Sequence, residues 1–467
     1  MSSCSIDMKQ YENTRKLSKP VAALAARHIR NKLEESMVVD CLHSSSTTIA
    51  TAILPEDDAS SSSSSSSLEQ MQTPIVSLDQ FELGSCLGQG SFSSVFSVQK
   101  YIKEPTQDSE ESQVPLTVDS GKVVIKMLQP KLLDNPTLFS NCAVGIVREG
   151  LILTALNHQN IVRVRAWSAS DGENYATGRH DAFFLVMDRL ELTLKHRITE
   201  WQIAEERAQE EPGKSARGGS LKLSFRSSRR CPIKGPQPQE RLDIVRQLAE
   251  AVSYLHSKGI IHRDLKPDNI GFDAEGTLKV FDFDLARMVP DTCTRNQNEE
   301  KTHDALFRMT RKMGSPRYMC PNIARGMAYN LKSDVYSFAL LCHEVLTLER
   351  PYTEIPRGMF QSQVYHSGYR PEVPLSWPHS MNLLLESCWH HSIHRRPSMD
   401  SVCQILDGTV VPYFSSKIKT KADPSSPSPK TETRNPGSSF FPKLLRRKQR
   451  NPSQDSNSGI RLVQATS

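Results

Sequence analysis

Residues 262–269 read H-R-D-L-K-P-D-N, and D-F-D follows at 282–284. Asp264 stands five residues before Asn269 and eighteen before Asp282. A carboxylate such as Asp264 orients a hydroxyl without first losing a proton near neutral pH. Three upstream stretches bear on the same chemistry. G-Q-G-S-F-S-S-V (88–95) follows F-E-L-G-S-C-L (81–87), which reads as a strand. Gly88 and Gly90 would allow close backbone approach and positive φ, leaving N–H groups to face an anion. V-V-I-K (123–126) is apolar and β-branched, as a buried strand is, and ends on Lys126. R-E-G-L-I-L-T-A-L-N-H-Q-N-I-V (148–162) reads as a helix in which Leu153 and Leu156 share or adjoin the face of Glu149, so that its carboxylate points inward beside apolar packing.

Together these stretches resemble the motifs of the eukaryotic protein kinases. The C-terminal half agrees: G-S-P-R-Y-M-C-P (314–321) is similar to the end of an activation segment, and S-D-V-Y-S-F (333–338) to the start of the central helix of the large lobe. C-W (388–389) and R-R-P-S (395–398) resemble the closing pattern of the tyrosine-kinase-like group. The resemblance runs from about 79 to 411. It implies an α+β, two-lobed fold, with a small antiparallel β lobe carrying one helix above a larger, mainly α-helical lobe. It also implies ATP and Mg2+ as cofactors and protein substrates bearing Ser or Thr.

By this resemblance, Asp264 sits near the attacking hydroxyl and Lys266 steadies the transferred phosphate. Lys126 meets the nucleotide's phosphates and Glu149 holds Lys126. Asn269 and Asp282 supply oxygens to the metal, and Asp334 braces the catalytic loop. Gly88, Gln89, Gly90, Ser91, Phe92, Ser93 and Val95 cover the nucleotide. Met187, in F-F-L-V-M-D-R-L (183–190), is the gatekeeper, and Asp188 to Leu190 form the hinge beside adenine. Lys266 and Ser315 favour Ser/Thr specificity, because tyrosine kinases usually carry alanine and arginine in the catalytic loop.

Three positions depart from the family pattern. Asp284 replaces the glycine of D-F-G, which restricts the backbone and adds a negative charge near the metals. Asn322 in C-P-N replaces a glutamate expected to pair with Arg396, and breaking a buried ion pair costs roughly 3–5 kcal/mol unless the lone charge finds solvent. Ser93 replaces the third glycine of the loop. These departures keep a second reading open, in which the chain is a pseudokinase or scaffold that binds nucleotide or partners without transferring phosphate. The presence of Lys126, Glu149, Asp264, Asn269 and Asp282 favours activity.

Arg263 resembles the arginine that grips a phosphorylated activation-loop residue. Thr310, then Thr302, are the candidate phosphosites, which implies an upstream activating kinase.

Outside the core, residues 1–78 contain no recognisable domain and include the run Ser60–Ser67, a linker composition. Residues 15–36 read as a basic helix, either solvated, docked on the catalytic domain, laid on a membrane surface or acting as a transit helix. Polar insertions are expected at 101–120 and 201–240, and a Ser/Pro-rich disordered tail at 412–467. Lys443, Arg446, Arg447, Lys448 and Arg450 form a basic cluster near Phe440 and Phe441, readable as a nuclear-import signal or a membrane-surface contact. The net charge of +6 on 467 residues is mild, and no nucleic-acid motif is present. Ten cysteines without a C-x-x-C pair argue against a zinc site and for a reducing compartment, cytoplasmic or nuclear. No apolar run is long enough for a transmembrane segment.

Overall fold

The computed structural model describes residues 16–41, 73–102, 121–168, 173–210, 233, 235–289, 305–310 and 313–422. A helix, α1 (Lys19–Cys41), precedes a five-stranded antiparallel sheet. Its strands are β1 (Phe81–Gln89), β2 (Ser93–Tyr101), β3 (Val123–Leu128), β4 (Val164–Trp167) and β5 (Phe184–Asp188), in the order β1-β2-β3-β5-β4. The two-residue period of a strand decides where Lys126 points. Val123, Ile125 and Met127 enter a small core with Phe81, Phe96, Phe184 and Val186. Val124 and Leu128 join the main core on the other face, and Lys126, at the same parity, lies on that face with them. In β5 the parity repeats: Leu185 pairs with Lys126 and Met187 with Val124.

Between β3 and β4 runs α2 (Pro136–Thr154), begun by the Asn135 side chain, which accepts from Leu138 N at 3.0 Å, and by Pro136 in the first turn. The helix thus starts well before the 148–162 segment expected to form it and ends before Leu156. Glu149 and Leu153 share its buried face as anticipated, while Leu156 is buried beyond the helix end. Gly150 is required where it stands. A Cβ there would lie 2.8 Å from Leu185 Cδ2 and 3.1 Å from the Trp167 ring, so glycine is what lets α2 approach the sheet.

The larger, helical lobe is built on α4 (Pro238–Ser257) and α6 (Lys332–Thr347), with α3 (Leu194–Glu210), α5 (Pro321–Ala324), α7 (His379–Cys388), α8 (Met399–Ile405) and α9 (Val411–Ala422) around them. α6 is buried on every side from Lys332 to Leu346, as befits a central strut. The lobe also carries a three-stranded sheet of β6 (Leu192–Thr193), β8 (Ile270–Phe272) and β9 (Leu278–Val280), and a pair formed by β7 (Ile260–Ile261) and β10 (Arg287–Met288). The fold is therefore the two-lobed α+β arrangement expected.

The boundaries differ from expectation at three places. The 201–240 insertion begins as helix: α3 continues to Glu210, with Trp201 buried beneath Arg241 and Gln202 donating to Leu348 O at 2.7 Å. The tail expected from 412 starts as α9, because Phe414 is fully buried against Trp377. Residues 15–36 yield α1, which packs on α2. The 103–120 segment, Thr302 and the basic cluster at 443–450 lie outside the described residues. Among the described residues no helix is long and apolar enough to cross a membrane.

Candidate active site

The hairpin β8–β9 assembles the site. Its turn carries Gly276 at φ +79°, and Ile270 pairs with Val280. That pairing sets Asn269, just before β8, beside the 281–284 segment, just after β9, and Phe281 N donates to Asn269 O at 3.1 Å. The 262–269 stretch is the loop between β7 and β8. Asp334, fully buried at the start of α6, holds it by accepting from His262 N (2.8 Å) and Arg263 N (2.9 Å), with His256 Nε2 at 3.2 Å. Burial opposes the charge on Asp334, but bonds from His256 and the loop N–H groups outweigh it and hold the carboxyl below its usual value.

Asp264 is the focus of this loop. One carboxylate oxygen accepts from Ser315 N at 2.7 Å; the other accepts from Lys266 Nζ at 2.5 Å and Asn269 Nδ2 at 3.0 Å. Asn269 also donates to the Asp264 carbonyl at 3.0 Å. Both amide protons thus face Asp264, which turns the carboxamide oxygen toward the other side. Gly314 permits this approach: it has φ +103°, and a Cβ would fall 2.5 Å from Arg263 O.

Lys126 Nζ donates to Glu149 Oε2 (2.6 Å), Asp282 Oδ1 (3.1 Å) and Asp284 Oδ1 (3.2 Å), one acceptor for each ammonium proton. Burial works against the charged lysine, but Asp284, Glu149 and Asp282 outweigh it and raise its pKa well above the ordinary value. Glu149 is itself pushed well above the carboxylate range by burial, only partly offset by Lys126. Its second oxygen accepts from Phe283 N at 3.1 Å, tying α2 to the D-F-D segment, and the Phe283 ring packs edge-on to His262.

Asp284 does not strain the backbone as its replacement of glycine suggested. The left-handed conformation of the segment falls on Asp282 (φ 65°), and Asp284 uses its side chain to reach Lys126. The loss of the glutamate at 322 is also met locally. Buried Arg396 donates to His390 O (2.9 Å), Lys332 O (3.1 Å) and Asn322 Oδ1 (3.4 Å) and lies over the Tyr336 ring.

The glycine-rich turn joins β1 to β2, closed by Gly90 N donating to Ser93 O at 2.9 Å. Neither Gly88 nor Gly90 adopts the positive φ anticipated for it. A Cβ on Gly88 would meet no atom within 4 Å, so its neighbours do not demand glycine and the tip of the turn stays open. Gln89, Ser91 and Phe92 lie at this open tip, and Val95 pairs with Lys126 in the adjoining strand. In β5 of the same sheet Met187 is buried and Asp188 pairs with Arg165 at 2.6 Å, while Leu190, just beyond, is half-buried.

Two contributors escaped the sequence reading. Gln129, buried just after β3, donates from its side chain to Gly90 O (2.8 Å) and Ser93 O (3.0 Å) and from its backbone to Phe92 O (2.9 Å), pinning the turn from below. Tyr329 accepts from Arg263 Nη1 at 2.9 Å and donates to Thr310 O at 3.0 Å. Nothing in the local pattern of a glutamine after a strand, or of a lone tyrosine, signals such partners.

The carboxylates of Glu149, Asp282 and Asp284 converge within 4.8 Å, and those of Asp282 and Asp284 are about one-third exposed. This is a hard oxygen donor set that fits a divalent cation. The open turn above and Lys126 below fit a polyphosphate.

Comparison with known proteins agrees with this geometry. The family model of protein tyrosine and serine/threonine kinases matches residues 81–406, more than half of the chain. A Dictyostelium discoideum protein named a "probable serine/threonine-protein kinase" is 32% identical over 161 residues, covering 34% of this chain and 16% of that protein. The "light-sensor protein kinase" of Ceratodon purpureus is 33% identical over 191 residues, 36% of this chain and 14% of that one. A LIM domain-containing relative from Dictyostelium discoideum is 32% identical over 166 residues, 36% of this chain and 23% of that one. The chain thus spans less than a quarter of the length of these relatives. On the match of the family model and the fold that carries it, the chain belongs to the protein tyrosine and serine/threonine kinase family.

Proposed function

We propose that the chain is an ATP-dependent protein kinase that transfers the γ-phosphoryl group to Ser and Thr hydroxyls. The observation that carries this reading is the coordination of Asp264. Its carboxylate is oriented at both oxygens by Ser315 N, Lys266 and Asn269. An oriented carboxylate accepts the proton of a substrate hydroxyl as the oxygen attacks. Lys266, already 2.5 Å from Asp264, is placed to neutralise charge on the phosphoryl oxygens. Lys126 binds the phosphates of the nucleotide, and Glu149 fixes its position. Mg2+, held by Asn269 and Asp282, supplies charge neutralisation at the polyphosphate. The turn at 88–95 covers the phosphates, and Met187 with the 188–190 hinge borders adenine.

Ser/Thr specificity is supported by Lys266 in the catalytic loop and by the naming of the relatives. Activation through Thr310 by an upstream kinase is supported by its placement. Thr310 is exposed, its carbonyl is tied through Tyr329 to Arg263, and Arg263 Nη2 is buried with no hydrogen-bond acceptor among the described residues. A phosphate there would supply that acceptor. The second reading, a nucleotide-binding pseudokinase, draws on Asp284, which occupies the third proton of Lys126.

Product identity tests the proposal. Incubation with Mg2+, labelled ATP and a generic protein substrate, followed by phosphoamino-acid separation, should give phosphoserine and phosphothreonine. Phosphotyrosine as the main product would overturn the specificity, and Mg2+·ATP binding without any product would favour the pseudokinase.

A further inference from the structure

We infer that Asp284 is a third protein ligand of the metal centre, beside Asp282 and Asn269, and that with it the chain binds a divalent cation before any nucleotide arrives. What the centre serves rests on the kinase reading; the added ligand rests on this chain's own residues. The sequence puts a carboxylate at 284, where the family pattern has a glycine with no side chain to offer a metal. The fold brings that carboxylate to the site, with an oxygen within 4.8 Å of those of Glu149 and Asp282. Phe283, between the two aspartates, is buried and packs on the His262 ring, which anchors the segment that carries them.

The three carboxylates are not equivalent. Glu149 is fully buried and both its oxygens are engaged, one by Lys126 Nζ at 2.6 Å and the other by Phe283 N at 3.1 Å. Asp282 and Asp284 are 35% and 34% exposed, so they meet the solvent from which a hydrated cation comes. Lys126 is bonded to Oδ1 of each, at 3.1 and 3.2 Å. A carboxylate accepts at two oxygens, so the lysine exhausts neither residue. Charge points the same way. Two exposed carboxylates face one ammonium, and Glu149 shares it. Like charges held this close repel unless a counter-charge lies between them. Mg2+ ordinarily takes one or two protein carboxylates and draws its other ligands from water and substrate phosphates. A centre with a single aspartate leans on the nucleotide, whereas the second aspartate here gives the protein a cation affinity of its own.

The test uses the full chain without nucleotide. Mn2+ is the probe, because it takes the same oxygen donors as Mg2+. Electron paramagnetic resonance counts free Mn2+ and gives the affinity, and water-proton relaxation gives the number of waters on the bound ion. Both are measured for wild type, Asp284→Gly and Asp284→Asn, with thermal melts to confirm that each is folded. Asp284→Asn keeps the volume of the side chain and decides the matter if Asp284→Gly loosens the segment. The wild type should bind Mn2+ about tenfold or more tightly than Asp284→Gly, and Asp284→Asn should also bind more weakly than wild type. The ion bound to Asp284→Gly should carry about one more water, which takes the place of the lost oxygen. Equal affinity in wild type and both variants would overturn the inference. So would weaker binding at an unchanged water count, which would make Asp284 a distant charge and not a ligand. A wild type whose Mn2+ binding depends on Asp284 but which transfers no phosphate would refute the kinase reading and leave the ligand standing. Phosphate transfer with Mn2+ binding indifferent to Asp284 would do the reverse.

Discussion

Lys126 brings one positive charge to three carboxylates, and the excess of negative charge decides how the site behaves. Glu149 and Asp284 are driven in opposite directions: burial raises the first despite Lys126, while Lys126 and hydrogen bonds outweigh burial and lower the second. Asp284 is therefore the more firmly ionised of the two, and it competes with a nucleotide phosphate for the lysine. The Asp284 side chain is about one-third exposed, and with water-like screening a unit charge at about 5 Å is worth about 1 kcal/mol. Asp284→Gly should accordingly tighten binding of metal-free ATP by roughly three- to tenfold in a fluorescence titration. Unchanged or weaker binding would show that Asp284 does not restrain Lys126. The identity of residue 284 was plain in the sequence. Its partner was not, because the contact joins residues far apart in the chain through the β8–β9 hairpin.

Glu344 makes a separate prediction at the same scale. Burial in α6 pushes its carboxyl up to about 7, against the opposing hydrogen bond from Tyr318 (2.6 Å) and the charges of Arg350 and Arg317. Between the ordinary value of 4.5 and about 7, the folded chain binds more protons at this group than the unfolded chain does. Its contribution to stability therefore falls as pH rises through that window, by about 3 kcal/mol in all. Glu344→Gln keeps an acceptor for Tyr318 and removes the charge. Thermal melts should show the variant more stable than wild type at pH 8 and nearly equal at pH 5. A gain that is the same at both pH values would contradict this origin.

At the scale of elements, alternation explains why β3 could be read from V-V-I-K alone. One face of the strand is apolar throughout, so Lys126 has only the cleft side to occupy. Helix limits were less legible. α2 begins at Pro136 because of the Asn135 cap, a local signal visible in the sequence but overshadowed by the motif around Glu149. The glycine-rich turn depends on Gln129, whose role is set by tertiary contact rather than by pattern. Gln129→Ala would leave the carbonyls of Gly90 and Ser93 without that donor, at a cost of about 1–3 kcal/mol borne by the turn. The KM for ATP should rise about five- to tenfold with little change in kcat, since the turn binds phosphates in ground and transition states alike. A fall in kcat at unchanged KM would mean that Gln129 acts on the chemistry instead.

For the whole molecule, the two lobes and the cleft between them followed from a handful of motifs, whereas the extent of the folded unit did not. α1 and α9 lie beyond the motif-bearing region and are held by tertiary contacts of side chains such as Ile29 and Phe414. The concern over the missing glutamate at 322 also dissolves at this scale, because Arg396 anchors to backbone carbonyls of two segments and to the Tyr336 ring. The central claim is that this assembly moves phosphate by way of Asp264. Its most direct test is the single-turnover rate of phosphoryl transfer to a protein substrate at saturating Mg2+·ATP, for the wild-type chain beside Asp264→Asn. The wild type should transfer phosphate and the variant should do so about a hundredfold more slowly or less, with nucleotide affinity unchanged. Equal rates, or no transfer by a folded wild type that binds Mg2+·ATP with Thr310 phosphorylated, would contradict it.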